Sequence, residues 1–150
     1  MRLPPRIKIL EALSAIADGR IKALDDKEAE VISSDGQRTY RVYLDLARGL
    51  AYSDDNGTKY RGYIGYPIVA FMMLKGALPV DNELKDALRG IPWRRLNEQY
   101  KKYDVVIEVV KRELSRKGID PSRVDRYIHE VVEKLRTIKL ELIEQGAEKF

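Results

Sequence analysis

The sequence predicts an α+β fold: a small antiparallel β-sheet packed on helices, followed by a long antiparallel helical hairpin. Three observations carry that expectation. Residues 28–46 are rich in β-branched and aromatic side chains that alternate around the turn Ser34-Asp35-Gly36-Gln37. Apolar residues recur at steps of three and four near the start of the chain and again over residues 103–142. Proline, glycine and aspartate stand between these stretches at positions that start and stop helices.

In chain order, Pro4 and Pro5 suit a helix start, since their fixed φ is helical and the N–H they lack has no partner there. Ile7, Leu10, Leu13 and Ile16 then mark one apolar face, and Asp18-Gly19 ends the run. Strands follow over Glu28 to Ser33 and Thr39 to Leu46, with Val31, Tyr40, Val42 and Leu44 pointing one way. A third strand, Leu50 to Ser53, leads into Asp54-Asp55-Asn56-Gly57. That cluster reads as a plain turn: a calcium loop alternates its oxygen ligands, whereas these are contiguous and end in a hairpin-type glycine. After Tyr60 to Tyr66, the apolar run Pro67 to Leu74 enters as a helix.

Beyond Gly76 the pattern is helical. Asp81 can cap a short helix that ends by Gly90, and Pro92 forbids its continuation. Trp93 opens a long helix to Lys117. Gly118 suits a left-handed closing position, Asp120 caps the next helix and Pro121 fits its first turn. Val124, Ile128, Val131, Leu135, Ile138 and Leu142 match the rhythm of Tyr103, Ile107, Val110 and Leu114, so the two helices should pair. Val105, Val106, Val109, Val132 and Leu140 widen the stripe beyond a two-helix seam. Its cover is either the small sheet or a second copy or foreign partner docked on the C-terminal helices. The chain thus divides into residues 1–78 and a helical region 79–150, or folds as one compact domain.

Composition narrows the function classes. A chain of 150 residues can bury about 68–70% of its unfolded surface, so it needs no staples, and without cysteine it has no disulfide or thiolate site. Its longest apolar run, Ile64 to Leu74, is far short of the roughly 20 residues that cross a bilayer, and Met1 to Pro5 lacks a signal peptide's apolar stretch. A soluble cytoplasmic protein without membrane partners is expected, and the 35% charged content fits a heat-adapted one. His129 is the only histidine and sits at a helical surface position, so no imidazole triad or two-histidine zinc site can form. No set of nucleophile, base and oxyanion donor can be assembled, and we expect no enzyme, no catalytic residue, no cofactor and no metal. The net charge is +4, but ten basic side chains stand against five acidic ones between Lys85 and Lys117, the most basic region of the chain.

Residues 29–76 run as "Tyr-x-Val-x-Leu-Asp", a short strand, a turn with Asp and Gly, then "Ile-x-Ala-x-x-x-Leu" in a helix. That order resembles the SWIM zinc-finger domain, whose signature is Cys-x-Cys followed by Cys-x-His at the helix start. Here Ala51 and Ser53 (or Tyr52 and Asp54), then Gly65 and Pro67, stand at the ligand positions, so the resemblance implies a zinc-free descendant. A structural zinc can contribute on the order of 10 kcal/mol, and such a descendant must replace it with other contacts. Six of the nine tyrosines, Tyr40, Tyr43, Tyr52, Tyr60, Tyr63 and Tyr66, fall in this segment. They serve either as core and sheet packing or as a stacking platform for unpaired bases. The resemblance further implies nucleic-acid processing, including DNA repair, and partners such as recombinase paralogues.

Gly62-Tyr63-Ile64-Gly65 matches the GxxG loop by which KH domains clamp a nucleic-acid backbone, although the pattern places a turn and strand before it and no basic residue lies in its middle. Unpaired N–H groups at the helix start near Gly65 and Tyr66, with Lys59 and Arg61 just before them, offer an alternative anion site. The first function hypothesis is a non-enzymatic binding protein for DNA, RNA or a nucleic-acid-handling protein, with Lys59, Arg61, Arg94, Arg95, Lys101 and Lys102 as the nucleic-acid contacts. About four phosphate contacts would give a log–log salt slope near −3 to −4. The second is an oligomeric interaction protein that uses Val124, Ile128, Val131, Leu135, Ile138 and Leu142 as its partner-binding surface.

Overall fold

The computed structural model describes residues 1–143. Pro5 stands as N-cap of helix α1 (Arg6–Ala17), and the chain then builds the strands β1 (Ile21–Ala23), β2 (Glu28–Ile32), β3 (Thr39–Asp45) and β4 (Leu50–Ser53). These pair antiparallel in sequential order, with Val31 opposite Tyr40 and Leu44 opposite Ala51. The β2–β3 turn is held by Asp35, whose Oδ1 accepts from Ser33 Oγ and from the Gln37 N–H, while Gly36 takes φ 74°. Val31, Val42, Leu44 and Ala51 face inward as the alternation requires.

The helices follow as α2 (Asn56–Arg61), α3 (Tyr66–Leu74), α4 (Asn82–Ala87), α5 (Trp93–Tyr100), α6 (Tyr103–Arg116) and α7 (Pro121–Arg136). Asp81 caps α4 by accepting from the Leu84 N–H, and Asp120 caps α7 by accepting from the Ser122 N–H, as their positions before short helical runs demand. Gly118 closes α6 with φ 87°, and α6 and α7 form the expected antiparallel hairpin. The fold is α+β.

The layers stack in a definite order. Helix α3, buried along Pro67–Met73, lies across all four antiparallel strands; α1 lies on α3; α6 and α7 lie on α1. One hydrophobic cluster joins them, from Leu10 and Leu13 through Ile68 and Phe71 to Val110 and Val131. Residues 1–78 and 79–143 therefore share a core.

Six expectations are corrected. Helix α1 is not buried on one face: Ile7, Ile9, Leu10, Ala12, Leu13, Ala15 and Ala17 are all buried, because small residues let it serve as the hub between α3, α4, α6 and α7. The buried part of the hairpin stripe is covered by α1 rather than by the sheet, while Val105 stays 40% exposed. Val124, Ile128, Val131 and Leu135 are core residues, so they are unavailable as a docking surface in the folded chain. Ile138 and Leu142 are not helical: α7 stops at Arg136, and the chain adds β5 (Glu141–Leu142) parallel to β4, with Leu140 buried and Leu142 exposed. The helix from Trp93 is broken at Lys101, the one non-glycine residue with positive φ among those described (φ 59°). Finally, Asp54 to Gly57 is no hairpin turn: Asp55 is the N-cap of α2.

Candidate basic cleft

Between α1, the β2–β3 turn, the α2–α3 junction and α5 lies a cleft of about 610 Å³. Two groups of side chains line it, cations and tyrosines. Arg38 comes from the end of the β2–β3 turn, Arg61 from the last residue of α2, and Lys101 from the break between α5 and α6; all three are exposed and, among the described residues, have no carboxylate partner. Lys8 and Arg94 line the cleft as paired cations. Lys8 Nζ sits 2.8 Å from Glu11 Oε2. Arg94 Nε lies 3.1 Å from Asp35 Oδ2 and 3.4 Å from Glu98 Oε1, while its backbone N–H donates to Ser34 Oγ, so α5 is tied to the β2–β3 turn.

The tyrosines are arranged in depth. Tyr63 is buried, Tyr40 and Tyr66 make an edge-to-face pair with centroids 6.0 Å apart, and Tyr103 stands exposed at the start of α6 with Lys8 Nζ 5.0 Å from its ring centroid. Burial pushes the Tyr63 phenol up to about 12 and the Tyr66 phenol higher still, so both are neutral hydrogen-bonding rings at ordinary pH. Burial alone would pull the Lys8 ammonium down. The carboxylate of Glu11 more than reverses that, and the net shift is upward, so Lys8 is a fixed positive charge.

The floor is held by a small buried network. Asp55 accepts from the Thr58 N–H at 3.1 Å and from Thr58 Oγ1 at 2.8 Å, and Thr58 Oγ1 in turn accepts from the Gly65 N–H at 3.0 Å. A side chain at Gly65 would run into the Asp55 carboxylate. The helix start near Gly65, expected to hold an external anion, therefore has its N–H engaged and the chain's own carboxylate beside it. The Gly62–Gly65 segment does join two helices, contrary to the strand expected before it. Yet Tyr63 and Ile64 in its middle are buried, and its backbone pairs with Arg2, so it does not offer a KH-type clamp.

Of the residues expected to contact nucleic acid, the fold brings Arg61, Arg94 and Lys101 into the cleft; Lys59, Arg95 and Lys102 are exposed outside it. Lys59 instead lies 5.4 Å from the centroid of Tyr60, itself 73% exposed. Much of the basic excess between Lys85 and Lys117 is neutralised locally: Arg89 pairs with Asp86, Lys111 with Asp125 and Glu108, and Arg116 with Glu113. Sequence reasoning missed Lys8, Arg38 and Tyr103. Lys8 was legible only as a charged residue, three before Glu11, inside an otherwise apolar helix.

Among the tyrosines, Tyr43 and Tyr52 pack into the core, while the buried Tyr63 joins Tyr40, Tyr66 and Tyr103 in lining the cleft. Ala51, Ser53, Gly65 and Pro67, at the positions of SWIM ligands, are buried, and among the described residues no group of His, Cys, Asp or Glu is placed to hold a metal ion. His129 is exposed. Among the described residues no helix is long and apolar enough to cross a membrane.

The fold and cleft define an α+β protein with a basic, tyrosine-lined recess. The model of the family described as uncharacterised conserved protein UCP014422 matches residues 1–141, and the chain belongs to that family. No curated protein and no solved structure matches the chain.

Proposed function

We propose that this chain is a non-enzymatic, cytoplasmic binding protein that holds nucleic acid, DNA or RNA, in the basic cleft. The observation that carries the reading is the convergence of Arg38, Arg61 and Lys101, all without carboxylate partners among the described residues, on a recess walled by tyrosines. Unpaired guanidinium and ammonium groups attract phosphate, and aromatic rings accept the faces of bases, a pairing that free anions do not require. Binding is favoured over catalysis because each carboxylate of the cleft is already engaged: Glu11 by Lys8, Asp55 by Thr58 and Glu98 by Arg94. The SWIM-like order of residues 29–76 points the same way and adds a nucleic-acid-processing protein, such as a recombinase paralogue, as a second class of partner.

Salt titration of binding to a labelled oligonucleotide tests the reading. Phosphate contacts from three cations give a log–log slope of about −2 to −3. Replacing Arg38, Arg61 and Lys101 together by Gln removes most of that slope and most of the affinity. Binding that is absent at low salt, or that does not change with salt, overturns the proposal.

A further inference from the structure

We infer that the cleft takes one unpaired nucleotide of a single strand, with its phosphate on Arg38, Arg61 and Lys101 and its base against the ring of Tyr103. This rests on the nucleic-acid reading above and adds which form of nucleic acid the site accepts.

Shape argues first. At about 610 Å³ the recess has the size of a small-ligand site, and it lies between elements rather than along an open face. A duplex keeps its bases stacked inside and presents a convex backbone, so it could touch only the rim. A single strand can turn a base inward.

The placement of the side chains argues second. Lys101 and Tyr103 belong to one short segment, where the left-handed backbone of Lys101 and the extended backbone of Lys102 separate α5 from α6. Phosphate-binding and base-binding groups thus stand two residues apart at the same mouth. Of the cleft's tyrosines, Tyr63 is buried and Tyr40 and Tyr66 are occupied with each other, whereas Tyr103 is 41% exposed. The Lys8 ammonium beside its ring is held by Glu11 and does not compete for the phosphate.

The test uses the full chain and fluorescence anisotropy with a labelled single strand of about ten nucleotides and the duplex of the same sequence, a length within single-strand site sizes. The single strand should bind at least about tenfold tighter than the duplex. Tyr103→Ala should weaken single-strand binding about tenfold and leave the salt slope unchanged, and Tyr103→Phe should retain the affinity, because stacking needs the ring alone. Arg61→Gln should instead lower the slope by about 0.7. Duplex binding as tight as single-strand binding, or a silent Tyr103→Ala, overturns this inference and leaves the nucleic-acid reading standing. Failure of both probes to bind at low salt overturns both.

Discussion

The ring of Tyr63 fills the space that a side chain at Gly57 would need. Gly57 lies in the first turn of α2, and Tyr63 is buried, so neither group has room to retreat. Gly57→Ala should destabilise the chain by about 1–3 kcal/mol through overpacking, seen as a melting temperature lower by about 3–10 °C. An unchanged melting curve would show that the α2–α3 junction is looser than described.

Lys8 and Glu11 form the most buried ion pair of the cleft, with only 13% and 7% of their side chains exposed. Glu11→Gln leaves the largely buried ammonium without its carboxylate and should cost about 3 kcal/mol in urea unfolding. Adding Lys8→Met to Glu11→Gln should recover most of that loss, since the penalty comes from the unpaired charge. Equal stability of the two variants would refute this.

The pH dependence of stability should be a plateau with two shoulders. Hydrogen bonding from Arg123 holds the Asp81 carboxyl below its ordinary 3.8, and hydrogen bonding from Lys111 does the same for Asp125. A depressed carboxylate contributes stability above its unfolded value and loses it as pH falls through the folded one, so the acid shoulder lies below about pH 4. Burial raises Tyr63, Tyr66 and Tyr127 above their ordinary 10.0. There the unfolded chain loses its protons first, so stability falls as pH rises above about 10. Urea midpoints measured from acid to alkali check both limbs, and Arg123→Gln should weaken the acid limb.

Lys101 holds a left-handed backbone at φ 59°, a conformation that favours glycine. Lys101→Gly should therefore raise stability by up to about 1 kcal/mol while weakening nucleic-acid binding. Opposite signs in the two measurements would separate the backbone role of this residue from its charge. A loss of both would mean that the lysine side chain supports the α5–α6 break.

Much of the fold was legible because its signals are local. Asp81, Asp120, Pro121 and Gly118 each act on the few residues beside them, and the Ser34-Asp35-Gly36 turn fixes the hairpin register by itself. The break at Lys101 was not legible: the apolar spacing runs through Leu96, Tyr103 and Ile107 without interruption, and two lysines carry no stop signal. The end of α7 at Arg136 was hidden for a similar reason, since Ile138 and Leu142 keep the helical step while serving a strand and its approach. Asp55 was read as a turn residue because a helix cap and a turn use the same side-chain chemistry, and only the buried Thr58–Gly65 contact decides between them. The cleft was half legible. Arg61, Arg94 and Lys101 stand out as charges, but bringing them next to Lys8 and Arg38 depends on how distant elements stack.

Helix α1 is made among the first residues of the chain, yet two of the elements that cover it, α6 and α7, lie at residues 103–136. During synthesis its apolar surface leaves the ribosome long before its shelter exists. Compaction must then wait until α6 and α7 have been made, which makes the nascent chain a natural client for chaperones and puts truncations within α7 at risk of aggregation rather than partial function.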